Sequence, residues 1–218
     1  MNKIQEMIQL QQELNDRTNG DDWLSGVTKD DRDISWHRCI YMEACEAIDS
    51  FNWKHWKDIN AEPDWPNAKV ELVDIWHFVM SEAIRVEATE YAQQYDEIES
   101  KGNPDADQLI ATLEKILSLS AEACVDKEKE PIRRVIDLYF EAIQLIGMGV
   151  SELYKRYVVK NQLNIFRQDH GYKEGTYVKY WDAVEDNIIA FNIMEEFPDL
   201  SPDQLYTKLE EEYQINHS

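Results

Sequence analysis

Apolar residues recur every three to four positions along most of this chain, and this periodicity limits its fold more than any other feature. The 218 residues include only seven Gly and six Pro, and we find no convincing run that alternates apolar and polar residues. A period near 3.6 is that of an amphipathic helix, whereas strands alternate with period 2. The sequence therefore predicts an all-α fold. The predicted helices span about residues 2–17, 35–50, 67–95, 105–124 and 131–160.

Turn-forming residues separate the predicted helices. Asn19-Gly20 ends the first helix, Ser35 caps the second, and Lys101-Gly102-Asn103-Pro104 is a clear break. Ser201-Pro202-Asp203-Gln204 has the pattern of a capping box and starts a last helix that ends near Tyr213. We expect one domain, residues 1–218, with a rigid helical core. Mobile segments are expected at roughly residues 18–34, 95–130 and 164–187.

The chain is strongly acidic, with 44 Asp and Glu against 22 Lys and Arg and a formal net charge of −22. Such a surface repels phosphate backbones, which argues against a nucleic-acid polymer as partner. The first residues lack the apolar centre of a signal peptide, and no apolar run is long enough to span a membrane. Three cysteines do not make a disulfide framework. We therefore expect a cytoplasmic protein without a membrane contact.

Two pairs of acidic residues lie inside the predicted helices. On helical spacing, Glu43 and Glu46 fall on the apolar side of the second helix, and Glu71 and Asp74 on that of the next. Inward-facing carboxylates each cost roughly several kcal/mol to desolvate, and they repel one another. Hard divalent cations prefer such oxygen ligands. One acidic pair is more often a solvated helix face, but two pairs on consecutive helices predict a metal site.

Two amides interrupt the apolar face of the first helix. Gln11 and Asn15 project between the apolar residues Ile4, Met7 and Leu14. A buried amide without partners costs about 1–3 kcal/mol. Two interpretations are open: hydrogen bonds inside the core, or recognition of a planar polar ligand such as a nucleobase.

Aromatic and basic residues alternate after the second helix. Trp53 and Trp56 flank Lys54 and His55, and Lys57 follows. The tryptophans either pack into the core or, near a metal site, stack on a base whose phosphates meet the lysines.

The local charge reverses between Leu153 and Trp181, where Asp169 and Glu174 are outnumbered by bases. The six bases are Lys155, Arg156, Lys160, Arg167, Lys173 and Lys179. Lysine and arginine bind polyphosphate, and Tyr172 adds a neutral donor. A basic cluster together with an acidic metal site is typical of metal-bridged phosphate chemistry.

Six segments carry a resemblance that covers nearly the whole chain. They are Leu10–Asn15, Ser35–Glu43, Ile48–Lys57, Glu71–Phe78, Lys160–Lys173 and Glu185–Asn187. In these segments the chain resembles the dimeric, all-α deoxyuridine triphosphatases (dUTPases), of the campylobacter type. The paired carboxylates alone are shared with other all-α nucleotide pyrophosphohydrolases, whereas the segment after Lys160 is more specific.

The resemblance implies Mg²⁺-dependent hydrolysis of dUTP, and also of dUDP, to dUMP and pyrophosphate or phosphate, with two or more ions per site. This reaction keeps uracil out of DNA. The implied metal ligands are Glu43, Glu46, Glu71 and Asp74, and one of the first two, Glu43 foremost, deprotonates the attacking water. The implied phosphate-binding residues are Lys160, Arg167, Tyr172 and Lys179. The implied base- and sugar-binding residues are Gln11, Asn15, Trp53, Phe78, Asn164 and Asn187. The family also implies a homodimer.

Other functions remain open on the sequence. A related pyrophosphohydrolase could accept dCTP as well as dUTP, and a non-enzymatic acidic helical interaction protein could carry the same charge. A ferritin-like di-iron protein is disfavoured because it needs two acid–histidine pairs, and only Asp74 and His77 have that spacing. His77 either fills the core or packs beside a base.

Overall fold

The computed structural model describes residues 2–58, 60–126 and 130–216. The predicted all-α fold is confirmed, with one short antiparallel hairpin in addition. The helices are α1 (Lys3–Asn19), α2 (Trp36–Asp49), α3 (Trp65–Arg85), α4 (Thr89–Ala92), α5 (Ala106–Val125), α6 (Ile132–Leu145), α7 (Val150–Asp169), α8 (Asp186–Glu196) and α9 (Pro202–Asn216). The strands of the hairpin are β1 (Tyr180–Trp181) and β2 (Val184–Glu185). No helix in the described residues is long and apolar enough to cross a membrane.

The chain divides into two units, Met1–Tyr154 and Lys155–Ser218. In the first unit, α2 packs between α3 and α5, α5 packs on α6, and α1 packs on α3. Trp76 of α3 lies at the centre, stacked on Tyr139 at 4.9 Å and edge-on to Phe140 at 5.2 Å. All three side chains are fully buried. Burial of one phenylalanine contributes roughly 1.5–3 kcal/mol, so this aromatic cluster fixes α3 against α6.

Short polar side chains cap several helices, but Ser35, the predicted cap, precedes α2 without a side-chain hydrogen bond to it. Asn2 accepts a hydrogen bond from the Gln5 N–H at 2.7 Å, and Asp105 accepts one from the Gln108 N–H at 3.0 Å. The predicted capping box is present, because the Ser201 Oγ accepts from the Gln204 N–H while the Gln204 side chain accepts from the Ser201 N–H.

Two predicted helix boundaries are wrong. The helix predicted to reach residue 95 ends at Arg85, and Glu87 follows with φ 57°. The helix predicted over 131–160 is two helices, because Gly147 has φ 79° and interrupts it. A Cβ on Gly147 would lie 2.9 Å from the Gly102 carbonyl oxygen, and one on Gly149 would lie 3.0 Å from that of Ile98. The close approach of the chain therefore needs both glycines.

The predicted mobile segments contain regular structure. Helix α5 occupies much of 95–130, of which residues 127–129 lie outside the described residues. In 164–187, α7 continues to Asp169 and the hairpin follows. Its two-residue turn is Asp182-Ala183, with φ 47° and 64°. The sequence predicts neither the hairpin nor α8.

The second unit is organised around aromatic rings. Phe166 of α7 stacks on His170 at 3.9 Å and contacts Trp181 of the hairpin and Tyr213 of α9. Ala190 of α8 is buried in the same cluster. This core holds α8, α9 and the hairpin against the end of α7.

Candidate functional site

The packing of α2 on α3 brings carboxylates from the two helices together. Glu43, Glu46 and Glu71 each offer an oxygen, and these three oxygens lie within 4.8 Å of one another. Asp74, one turn beyond Glu71, is not part of this three-residue cluster. Burial raises the pKa of Tyr139 well above its usual range, and the charge of Asp74 acts in the same direction. Three of the four predicted metal ligands therefore converge.

The burial predicted for these carboxylates is wrong for Glu46, which is exposed, while the other three are half-buried. The buried face of α2 carries Trp36, Ile40, Ala44 and Ala47. The glutamates lie beside this stripe rather than within it. What brings the anions together is the contact of two helix flanks rather than burial in the core.

The electrostatic effect of the acidic cluster reaches neighbouring cysteines. Burial raises the pKa of Cys39 to about 11, and the charge of Glu43 acts in the same direction. Cys45 is exposed, and desolvation and the Glu46 charge raise its pKa too. A raised thiol pKa disfavours the reactive thiolate, so neither cysteine is suited to act as a nucleophile.

Gln11 and Asn15 form hydrogen bonds within the core of the first unit, and each is only 3% exposed. Both amide nitrogens donate to the Ser81 Oγ of α3, at 3.1 and 3.0 Å, and Gln11 also donates to the Asn15 Oδ1 at 3.1 Å. The Gln11 Oε1 lies 2.6 Å from the Nδ1 of His77. These contacts agree with the first of the two interpretations, hydrogen bonds inside the core.

The aromatic residues near the acidic pairs are partly accessible. Phe78 is half-buried and stacks on Trp36 at 6.0 Å. Trp53 is 45% exposed, lies edge-on to the exposed Trp56 at 5.7 Å, and donates its indole N–H to Asp49 at 3.1 Å. The interpretation that Trp53 and Trp56 pack into the core is therefore wrong. Lys54 pairs with Asp49 and lies over the Trp53 ring.

The second unit contains the predicted phosphate-binding residues, and each charged one has a polar partner. Arg167 forms a two-point ion pair with the buried Asp186. The Lys179 Nζ lies 2.7 Å from Glu185, and the Lys160 Nζ donates to the Asn187 Oδ1 at 3.1 Å. Three consecutive residues, Glu185–Asn187, thus contact the three bases.

Tyr172 and Asn164 adjoin this network. Tyr172 is 48% exposed and lies 5.7 Å from the Arg167 guanidinium. The Asn164 Oδ1 accepts from the Arg167 Nη1 at 3.3 Å. The sequence assigns no role to Asp186, although it lies in the Glu185–Asn187 segment that carries the resemblance.

A second group of potential ligands involves His37, Glu82 and Glu130 in the first unit. Both oxygens of Glu82 accept hydrogen bonds from Arg85, at 2.8 and 2.5 Å, and His37 lies 3.4 Å from Glu82. Burial lowers the pKa of His37, but the nearby carboxylates of Glu130 and Glu82 outweigh this effect and raise the pKa to about 9. Protein cations already balance these acids, so we interpret the group as an ion-pair network.

The fold, together with carboxylates paired across neighbouring helices, indicates the class of all-α nucleotide hydrolases. A family model described as dUTPase matches residues 3–172. The chain therefore belongs to the dUTPase family of the all-α type, and it is a hydrolase, a dUTP diphosphatase. The match ends before Lys179, Asp186 and Asn187. No curated protein sequence was found to match the chain.

Proposed function

We propose that this dUTPase hydrolyses dUTP to dUMP and pyrophosphate with Mg²⁺, and dUDP to dUMP and phosphate. The observation that carries the proposal is the convergence of Glu43, Glu46 and Glu71 from two helices within 4.8 Å. In the cell this activity would keep uracil out of DNA and supply dUMP.

The donor set fits magnesium. Glu43, Glu46 and Glu71 offer hard oxygen atoms from a rigid helix pair, and like charges this close repel unless a cation is present. Asp74, one turn beyond Glu71 on α3, would complete the set. When bound, magnesium supplies positive charge at the phosphate oxygens and lowers the pKa of water. We propose two or more ions per site.

A glutamate of α2 would take the proton from the attacking water. Glu43 is half-buried and Glu46 is exposed, so Glu43 is better placed to hold one orientation. A carboxylate within hydrogen-bond reach of a water can act as its general base. Attack at the β-phosphorus would then release dUMP.

The side chains of the second unit would bind the triphosphate. Lys160, Arg167 and Lys179 provide positive charge, and Tyr172 provides a hydroxyl. Such donors stabilise charge that develops on the phosphates in the transition state. Asn164 and Asn187, bonded to Arg167 and Lys160, would face the sugar.

The uracil would be recognised by residues of the first unit. The exposed ring of Trp53 and the half-buried ring of Phe78 are accessible aromatic surfaces. Gln11 and Asn15 would shape the pocket from within, through their bonds to Ser81 and His77. We further propose a cytoplasmic homodimer in which segments near 18–34, 95–130 and 164–187 move when nucleotide binds.

A product assay tests this function. Purified protein is incubated with dUTP, dUDP, dCTP and dTTP, with Mg²⁺ or with EDTA, and the nucleotide products are separated by chromatography. We expect dUMP to form from dUTP and from dUDP, and only when Mg²⁺ is present. Equal turnover of dCTP would indicate the broader pyrophosphohydrolase, and turnover in EDTA would contradict the role of the metal.

A further inference from the structure

The guanidinium of Arg167 is held along one edge by a buried carboxylate. Its Nε donates to the Asp186 Oδ2 at 2.8 Å and its Nη2 donates to the Oδ1 at 2.7 Å. Asp186 is fully buried, and Arg167 is 8% exposed. Two parallel charge-assisted hydrogen bonds fix both the position and the plane of a guanidinium.

Asp186 is itself fixed by its surroundings. The Tyr177 hydroxyl donates to the Oδ2 at 2.8 Å, and the Asp186 backbone N–H donates to the Lys179 carbonyl at 3.0 Å. Asp186 is the first residue of α8, where the helix dipole favours a negative charge. Burial lowers the pKa of Arg167, but its hydrogen bonds to Asp186 outweigh this effect and raise it, so the arginine remains charged.

The terminal edge of the guanidinium faces amide side chains. Nη1 donates to the Asn164 Oδ1 at 3.3 Å, and Nη2 also reaches the Asn187 Oδ1 at 3.4 Å. These hydrogen bonds are longer than those to Asp186. The Nη1–Nη2 edge is therefore the one that can exchange partners at low cost.

We propose that Asp186 is the positioning residue of the phosphate site. By occupying the Nε–Nη2 edge it turns the Nη1–Nη2 edge of Arg167 towards the nucleotide phosphates, and this role rests on the proposed function. Asp186 touches no substrate and acts through Arg167. Without it, the guanidinium would lose its fixed plane, and phosphate binding would weaken while uracil recognition would not.

The test compares Asp186→Asn, Arg167→Gln and the double variant. Asparagine keeps the shape of the aspartate but replaces one acceptor with a donor. Asp169→Asn is the matched control, because Asp169 also accepts from a tyrosine hydroxyl, that of Tyr206 at 2.7 Å, without contacting Arg167 in the described structure. Steady-state kinetics with dUTP and calorimetric binding of α,β-imido-dUTP and of deoxyuridine, which has no phosphate, are the readouts.

We expect Asp186→Asn to raise KM for dUTP and Kd for α,β-imido-dUTP by about ten- to hundredfold, as misplaced substrate-binding groups do. Deoxyuridine should bind to the wild type and to Asp186→Asn with the same Kd. KM and Kd of the double variant should be no higher than those of Arg167→Gln, because the effects of residues that act as one unit are not additive. The Asp169→Asn control should have the same KM for dUTP and the same Kd for α,β-imido-dUTP as the wild type.

Unchanged binding of α,β-imido-dUTP to Asp186→Asn, or additive losses in the double variant, would overturn the inference. A wild-type protein that does not turn over dUTP would instead refute the proposed function. If circular dichroism shows that Asp186→Asn is unfolded, Tyr177→Phe removes one bond to Asp186 and keeps the ion pair. It should raise KM about two- to fivefold, in line with one lost hydrogen bond, and an unchanged KM would overturn the inference.

Discussion

Glu43 of α2 and Glu71 of α3 bring carboxylate oxygens within 4.8 Å of each other across the contact between the two helices. The two residues are far apart in sequence, so their proximity is a product of the fold. Glu46 joins them from the next turn of α2. The arrangement concentrates negative charge where hard cations bind best.

Removing one carboxylate of this cluster should abolish turnover without unfolding the protein. We expect Glu46→Gln and Glu71→Gln each to lower kcat for dUTP by at least about a hundredfold, as loss of a metal ligand or base does. Their free energy of unfolding without metal should not fall, because like-charge repulsion is relieved. Steady-state kinetics measure kcat, and urea denaturation measures the free energy of unfolding.

Glu114→Gln is the control for these variants, because Glu114 is an exposed acid on α5 outside the cluster. Its kcat should equal that of the wild type. Glu46→Gln with a wild-type rate would refute the role of Glu46.

The hydrogen bonds to Ser81 should stabilise the fold. Ser81→Ala removes the acceptor shared by Gln11 and Asn15, which are buried. Buried donors without an acceptor cost about 1–3 kcal/mol, so the free energy of unfolding should fall by that amount. Urea denaturation measures it. Ser118→Ala, at an exposed position of α5, should change stability by less than about 0.5 kcal/mol. Equal effects of the two substitutions would contradict the network.

The turn of the hairpin should accept glycine with a gain in stability. Ala183 has φ 64°, a left-handed conformation that disfavours side chains with a Cβ. We expect Ala183→Gly to raise the free energy of unfolding by about 0.5–1 kcal/mol. Thermal denaturation followed by circular dichroism is the measurement, and a lower melting temperature would contradict the prediction. Ala121→Gly inside α5 is the opposite control and should destabilise.

The ion pair of His37 should make stability depend on pH. Its pKa is about 9 in the folded protein against an ordinary 6.5, because the nearby carboxylates of Glu130 and Glu82 outweigh the opposing effect of burial. A raised pKa means that the stabilisation is complete below 6.5 and is lost as pH rises through about 9. In the acidic range the relevant group is Glu82, since hydrogen bonds from Arg85 and the nearby His37 outweigh burial and lower its pKa to about 2.

His37→Gln should therefore cost more stability near about pH 6 than near about pH 10, where the histidine is neutral in both states. Urea denaturation at the two pH values measures the difference. His55→Gln, at an exposed histidine, serves as the control and should show no such trend. A loss for His37→Gln that is the same at both pH values would rule out the charged form.

Much of the fold follows from the sequence because helix periodicity and caps are local. Ser201 and Gln204 form the predicted capping box. The two acidic pairs lie on α2 and on α3, and within each pair the residues are one helical turn apart, as expected. The break between α6 and α7 is predictable from the sequence, because Gly147 and Gly149 lie in it. The end of α3 at Arg85 is not predictable, because the residues that follow it are acceptable in a helix.

The errors at the site have one physical origin. Residue spacing gives the direction of a side chain on its own helix, but a neighbouring helix decides whether that direction is buried. Glu46 is exposed for this reason. The Arg167–Asp186 ion pair was not predicted because it joins α7 to α8 across the hairpin, and no local pattern specifies such a contact.

A crystal structure with Mg²⁺ and α,β-imido-dUTP tests the central claim most directly. We predict magnesium bound by oxygens of Glu43, Glu46 and Glu71 at about 2.1 Å, the usual distance for this ion, with the phosphates on its far side. Metal and nucleotide bound elsewhere, with these three carboxylates facing only water, would contradict the account.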